Sequence, residues 1–358
     1  MTNTQQTIQP IKQKQGRYIS WDILRIISML PTAFIHTAVH DYDVLVQGSG
    51  SWLVCNFFSG LFRYCIPLLF MVSGAFLLDA KREYSFKKLY GQKISRLLVA
   101  YIFWAVLYSF IGNLVEFQTI NSDFIKSFIR ETILGHYHLW FILAMISVYM
   151  IVPFLRLIAK DVKLIKYFLL LWLFFTVFVK ILFWVPHTFV DEIKTFLIDF
   201  DMNFVVGYSG YFLLGYYLRT NEISKRTRII IYISAIVTTA IAIVVNVWCE
   251  GTSVEVYSNH APSSILSAVA ILLFVNKWAA KHKMNEKLAS FISTIAPLGF
   301  GVYLTHDLFI ILFMDVFGLN TITMPLVMIP IISIMVLVAG YGFTYLIRKI
   351  PVIGKWIC

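Results

Sequence analysis

"WDILRIISMLPTAFIHTAVHD", residues 21–41, is apolar and long enough to cross a bilayer, yet it carries Asp22, Arg25 and His36. A helix of about 20 residues spans the roughly 30 Å hydrocarbon layer. A charged side chain at its centre costs about 3 kcal/mol on insertion scales, so such groups face a bundle interior or a wet cavity rather than lipid. At 100° per residue, the eleven steps from Arg25 to His36 return to within about 20° of the same face and advance about 16 Å. Asp22, Arg25, Met29, Thr32 and His36 therefore form one stripe at spacings of three and four, with mostly Ile, Leu, Ala and Phe between them. Pro31 removes one backbone hydrogen bond from the middle of that stripe. The segment reads as a membrane-spanning helix with one polar, buried side.

The rest of the chain repeats the apolar theme. Of 358 residues 59% are hydrophobic and only 14% charged, and the mean hydropathy is +0.77, far outside the soluble globular range. Ten runs are expected to span, near residues 19–39, 52–78, 94–115, 138–158, 164–185, 203–218, 229–248, 262–279, 297–317 and 324–347. Long unbroken apolar runs exclude a barrel, whose strands alternate over about ten residues. The expected fold is an all-α polytopic membrane helix bundle, with residues 1–18 a flexible tail, 19–348 the membrane domain and 349–358 a short second tail. The N-terminal "MTNTQQTIQPIKQKQG" lacks the apolar core of a cleavable signal.

Charge sets the orientation. Of 30 lysines and arginines, 24 fall in one alternating set of loops and tails, whereas the other set holds only Lys126, Arg130 and Lys194 together with twelve of the 19 acids. Because basic loops stay on the cytoplasmic side, both termini are expected there. The same sidedness, with contact to anionic lipid of the bilayer, accounts for the net charge of +11 without a nucleic-acid partner. Cys55, Cys65, Cys249 and Cys358 form no C-x-x-C pair, which argues against a metal or redox centre; no P-loop, G-x-S-x-G or H-E-x-x-H is present.

Three cations remain within the spans: Arg25, Arg63 and Lys180. Lys180 lies near a span end and can snorkel to the interface. Arg63 falls in the outer half of the second span, in "FRYCIPLLFMVSGAFLL", whose Ser73-Gly74 pair permits close helix packing. "GHYHLWFILAMISVYMIVPFL" opens the fourth span with His136, His138 and Trp140, which fit an interfacial aromatic belt as well as a site. "APLGFGVYLTHDLFI" places Tyr303, His306 and Asp307 near the middle of the ninth span, where a histidine is a candidate functional group. The adjacent His306 and Asp307 point about 100° apart and need not form a dyad.

With these residues in view, the chain resembles the acyltransferase-3 family of integral membrane acyltransferases. "WDILRIISMLPTAFIH" matches its first-helix signature, with Arg25 and His36 at the family's spacing. "RYCIPLLFMVSGAFLL", "HLWFILAMISVYMIVPFL", "YFLLGYYL" and "GVYLTHDL" resemble later blocks in the same order. Within the family, the first helix and the "HLWF" segment are most similar to the enterobacterial common antigen O-acetyltransferase type. The resemblance implies a bacterial plasma membrane and acetyl-CoA as donor, with a cell-surface glycan or lipid-linked saccharide as acceptor. Some family members carry an added esterase-like domain, and others are described as polysaccharide exporters.

These expectations assign roles. Acetyl-CoA phosphates would be held by cytoplasmic basic residues such as those in "KREYSFKKLYGQKISR". Arg25 and Arg63 would contact the donor, with Asp22 orienting Arg25 from one turn below. His36 would be the general base, Arg63 the oxyanion donor and His306 a second acid or base. His138, Trp140 and Tyr303 would line the acceptor side. The competing class is a transporter using buried Asp, Arg and His as a proton relay, which would move substrate without consuming acetyl-CoA.

Overall fold

Residues 19–40 form one unbroken helix, α1 (Ile19–His40), running through Pro31. In the computed structural model the described residues are 12–13, 17–82, 84–117, 120–178, 207–249 and 254–358. After α1 come α2 (Gly50–Leu61), α3 (Cys65–Leu77), α4 (Ser95–Phe117), α5 (Ser122–Leu134), α6 (Trp140–Ile158) and α7 (Val162–Leu173). They are followed by α8 (Ser209–Thr220), α9 (Lys225–Trp248), α10 (Pro262–Lys281), α11 (Glu286–Ile295), α12 (Gly299–Ile310), α13 (Pro325–Ile347) and α14 (Ile353–Ile357). Wider π-helical turns lead into α4 (Leu89–Ile94) and continue α7 (Phe174–Phe178) and α12 (Ile311–Val316). Among the described residues the only strands are Lys12–Gln13 and Arg17–Tyr18, paired antiparallel just before α1.

Eight stretches of the described residues are long and apolar enough to cross a membrane: Ile19–Val44, Gly50–Leu77, Phe86–Leu114, Ser122–Ile158, Lys225–Trp248, Pro262–Lys281, Glu286–Val316 and Pro325–Ile347. The protein is a multi-pass helical membrane bundle. These stretches coincide with eight of the ten expected spans. The other two, 164–185 and 203–218, fall on α7 with its π turn and on the twelve-residue α8. Between them, residues 179–206, Lys180 included, lie outside the described residues.

α1 is the hub, in contact with α2, α3, α10, α11, α12 and α13, which is why its stripe of polar groups can stay out of lipid. The closest packing is between α3 and α8. A Cβ on Gly74 would run into the Phe212 backbone, and one on Gly215 into the Met71 carbonyl, so small residues let the two backbones touch. Two arginines finish the C-terminal end of α3. Arg156 donates to the carbonyls of Leu77, Asp79 and Arg82, and Arg219 donates to Ala75 O and pairs with the Asp79 carboxylate at 3.1 Å. α2 is joined to α9 by a buried amide pair, Asn246 donating to Asn56 Oδ1 at 2.5 Å, with the Tyr257 hydroxyl donating to the same oxygen. Cys55, Cys65 and Cys358 are free thiols. The C-terminal residues are docked against α4: Trp104 donates to Ile357 O, Arg96 donates to Cys358 O, and Cys358 is buried.

Candidate active site

α1 contributes to two sites, one toward each end. At its N-terminal end, Arg25 pairs with Asp22 Oδ1 at 2.8 Å, where Ser293 of α11 also donates to Oδ2. The Asp22 carboxylate is only 1% exposed against 39% for Arg25. The pair is therefore lopsided: a buried anion anchors a cation that reaches into open space. That space is a cavity of about 450 Å³. Arg25, Arg82, Lys93, Arg96 and Arg348 stand on its wall, drawn from α1, the α3–α4 connection, α4 and the residue after α13. Its wall also carries apolar side chains, among them Met29, Leu69, Val72, Phe141 and Met145. Five cations together with these apolar side chains fit an elongated ligand with a polyanionic head and a thin apolar arm.

At the other end of α1, His36 enters an aromatic and imidazole cluster built from three segments. The turn Tyr137–Leu139 before α6 supplies Tyr137 and His138, with His136 preceding it, and α12 supplies Tyr303, His306 and Asp307. The Tyr137 hydroxyl donates to Asp307 Oδ1 at 2.5 Å and lies 3.1 Å from His36 Nδ1. A phenol has one proton. Since that proton goes to the carboxylate, toward His36 the oxygen is an acceptor and Nδ1 must carry the hydrogen. His36 is thus held as the Nδ1–H tautomer, with the Nε2 lone pair directed away from Tyr137. Among the described residues Nε2 has no hydrogen-bond partner. His306 is fixed in the same sense: its Nδ1 is 2.5 Å from the Tyr303 carbonyl, which can only accept, and its ring centre is 5.0 Å from that of His36. His306 Nε2 is buried without a partner among the described residues.

The expected site residues divide between these places. Asp22 and Arg25 stand at the cavity, and His36 and His306 meet in the cluster. Arg63 departs from the continuous second span read from the sequence: the helix breaks at residues 62–64, between α2 and α3. There its guanidinium donates to Ser59 Oγ at 2.7 Å and lies over the Tyr257 ring. It is absent from the wall of the cationic cavity, although its charge is within electrostatic reach of His36. Tyr303 and His138, expected to line the acceptor side, are buried instead; the Tyr303 hydroxyl donates to the His138 carbonyl and so fixes the turn that carries Tyr137. Trp140 is 40% exposed and leans on Tyr208, 5.8 Å between centres, as an open aromatic face should.

Between cavity and cluster the stripe is filled. Met29 and Thr32 are only 5% and 4% exposed, and with Met29 itself on the cavity wall the packed septum runs from there to His36, about two turns of α1. Tyr137 is the functional candidate that the sequence reading passed over, and Asp307 was weighed there only as the neighbour of His306. Tyr137 sits in a run that reads equally well as an interfacial belt, and its partner Asp307 is 170 residues away. Tyr108 was also unmarked: its ring stacks on His136, and its hydroxyl donates to Leu304 O while accepting from Leu308 N, tying α4 to α12 beside the cluster.

A family model described as an acyltransferase domain matches residues 18–345, nearly the whole chain. No curated protein and no solved structure matches.

Proposed function

This chain belongs to that acyltransferase family, and from this premise we propose that it moves an acetyl group from acetyl-CoA to a hydroxyl of a cell-surface glycan or lipid-linked saccharide. The membrane would be the bacterial plasma membrane, with the cationic cavity open to the cytoplasm and the imidazole cluster toward the outer face. The acceptor class of the enterobacterial common antigen type is the finer reading that the first-helix and "HLWF" blocks favour. One observation carries the proposal: a single helix, α1, delivers Arg25 to a cavity of about 450 Å³ ringed by cations and, about 16 Å on, an imidazole whose free Nε2 suits a base.

The chemistry runs as follows. Arg82, Lys93, Arg96 and Arg348 hold the phosphates of the donor, and the apolar side chains of the wall take its thin arm. The thioester passes Arg25 and reaches the septum at Met29, whose unbranched side chain can move aside. An acceptor hydroxyl lies at His36 Nε2, which removes its proton as the oxygen attacks the thioester carbon. Tyr137 and Asp307 hold Nδ1–H and stabilise the imidazolium that forms; Asp307 stays ionised throughout. Arg63, held on Ser59 and over Tyr257, favours the negative charge that develops on the thioester oxygen through space rather than by contact. Collapse breaks the carbon–sulfur bond, His36 returns the proton to the departing thiolate, and ester and free CoA result. His306 Nε2 is the neighbouring group able to share that proton, and Trp140 offers a flat apolar face to a sugar ring.

The test is reconstitution. Purified protein in proteoliposomes, given acetyl-labelled acetyl-CoA on the side of the basic loops and a panel of surface glycans on the other, should label the glycan and release CoA. Glycan movement with no CoA released would instead make the chain a transporter.

A further inference from the structure

His136, His138 and Asp307 share a feature that acyl transfer does not use. The Nδ1 atoms of the two histidines face each other at 3.0 Å, Asp307 Oδ2 lies 3.5 Å from His136 Nδ1, and all three atoms fall within 4.8 Å of one another. His138 and Asp307 are buried and His136 is about one quarter exposed. A single proton cannot satisfy this arrangement. If His136 Nδ1 carries it, either His138 or the carboxylate goes without; if His138 carries it, the lone pair of His136 faces a carboxylate oxygen. A cation placed among the three meets every lone pair at once and neutralises the buried anion.

We propose that His136, His138 and Asp307 bind one divalent transition-metal ion, zinc by ligand type, with a fourth position left open. Two imidazoles and one carboxylate are a zinc ligand set, and the open position is the mark of a site that still takes water or substrate. At roughly 2.0–2.1 Å from zinc, neighbouring ligands in a tetrahedron stand about 3.3 Å apart, against 3.0 and 3.5 Å here. The His138–Asp307 side lies within 4.8 Å, and rotation of the Asp307 carboxylate adjusts it. Partners that orient the ligands are in place: Tyr137 donates to the other oxygen of Asp307, Tyr108 stacks on the His136 ring at 4.5 Å, and the Tyr303 hydroxyl grips the His138 backbone. The sequence reading expected no metal because it searched for paired cysteines. These ligands come instead from one turn and from a helix 170 residues further on.

The proposal shares only Asp307 with the acyl-transfer reading, through its other carboxylate oxygen, and no acyl donor enters its test. Tag-free protein is stripped with a chelator and titrated with Co²⁺, following visible absorption, then with Zn²⁺. The expected result is one cobalt per chain, with the intense spectrum of a low-coordinate nitrogen and oxygen site, displaced by one equivalent of zinc. His136→Gln and Asp307→Asn should each weaken cobalt binding at least tenfold, whereas His36→Ala should keep it. Because His136 is partly exposed, His136→Gln is the variant most certain to fold. Its thermal midpoint should lose the rise that zinc gives the parent. No stoichiometric cobalt in the parent, or equal affinity in both ligand variants, overturns the proposal.

Discussion

Tyr137 gives its hydroxyl proton to Asp307 at 2.5 Å, and so turns the other side of its oxygen into the acceptor for His36 Nδ1. Tyr137→Phe removes both contacts while keeping the ring. Tyr137 is 56% exposed, so the thermal midpoint should barely change. With the tautomer no longer fixed, kcat should fall by about tenfold or more while the KM for acetyl-CoA holds. Steady-state kinetics on the variant decide it; a raised KM with unchanged kcat would place Tyr137 in substrate binding instead.

The cation ring predicts a donor-binding phenotype separate from chemistry. Lys93 and Arg348 line the cavity far from the imidazole cluster. A hydrogen bond to a charged group is worth about 1.5–3 kcal/mol, so Lys93→Gln or Arg348→Gln should raise the acetyl-CoA KM by roughly tenfold or more with kcat kept. The parent KM should also climb with ionic strength, because the exposed Lys93 contact is screened by salt. Equal KM values in parent and variants would show that the phosphates bind elsewhere.

Packing gives a third prediction. A methyl at position 215 would overlap the Met71 carbonyl, a backbone atom that cannot rotate away. Gly215→Ala should cost about 1–3 kcal/mol and lower the thermal midpoint in detergent, whereas Gly342→Ala, with open space around its Cβ, should not.

Cys358 offers a reactivity test of the docked C-terminal residues. Burial pushes its thiol up to about 11, so at pH 8 almost none is thiolate, the reactive form. A maleimide should label the exposed Cys249 promptly and Cys358 only after denaturation, or as pH rises toward 11. Prompt labelling of Cys358 in folded protein would mean that α14 is not held against α4.

Much of the fold was legible because the bilayer imposes a simple length and hydropathy rule; eight of the expected spans reappear, although those beginning at Phe86, Ser122 and Glu286 start 8, 16 and 11 residues earlier than expected. The spans expected at 164–185 and 203–218 run into residues 179–206, outside the described residues, so only their parts in α7 and α8 are seen. The stripe on α1 was readable because helical periodicity is local: Asp22, Arg25 and His36 lie within four turns of one another. The position of Arg63 was not legible because nothing in "LFRYC" signals that the helix breaks at residues 62–64 and turns the guanidinium toward Tyr257. The link from Asp307 through Tyr137 to His36 joins three distant segments, and no spacing rule reports such contacts. The filled septum at Met29 and Thr32 was equally hidden, because a helical wheel shows which residues share a face but not what packs between them.

The most direct measurement compares parent and His36→Ala for release of CoA coupled to labelling of a glycan acceptor, both reconstituted with confirmed thermal midpoints. The account predicts a fall in kcat of about 100-fold or more with acetyl-CoA binding kept, since Arg25 stands three turns from His36 and His36 is not on the cavity wall. Turnover equal to the parent in a folded His36→Ala protein would contradict it.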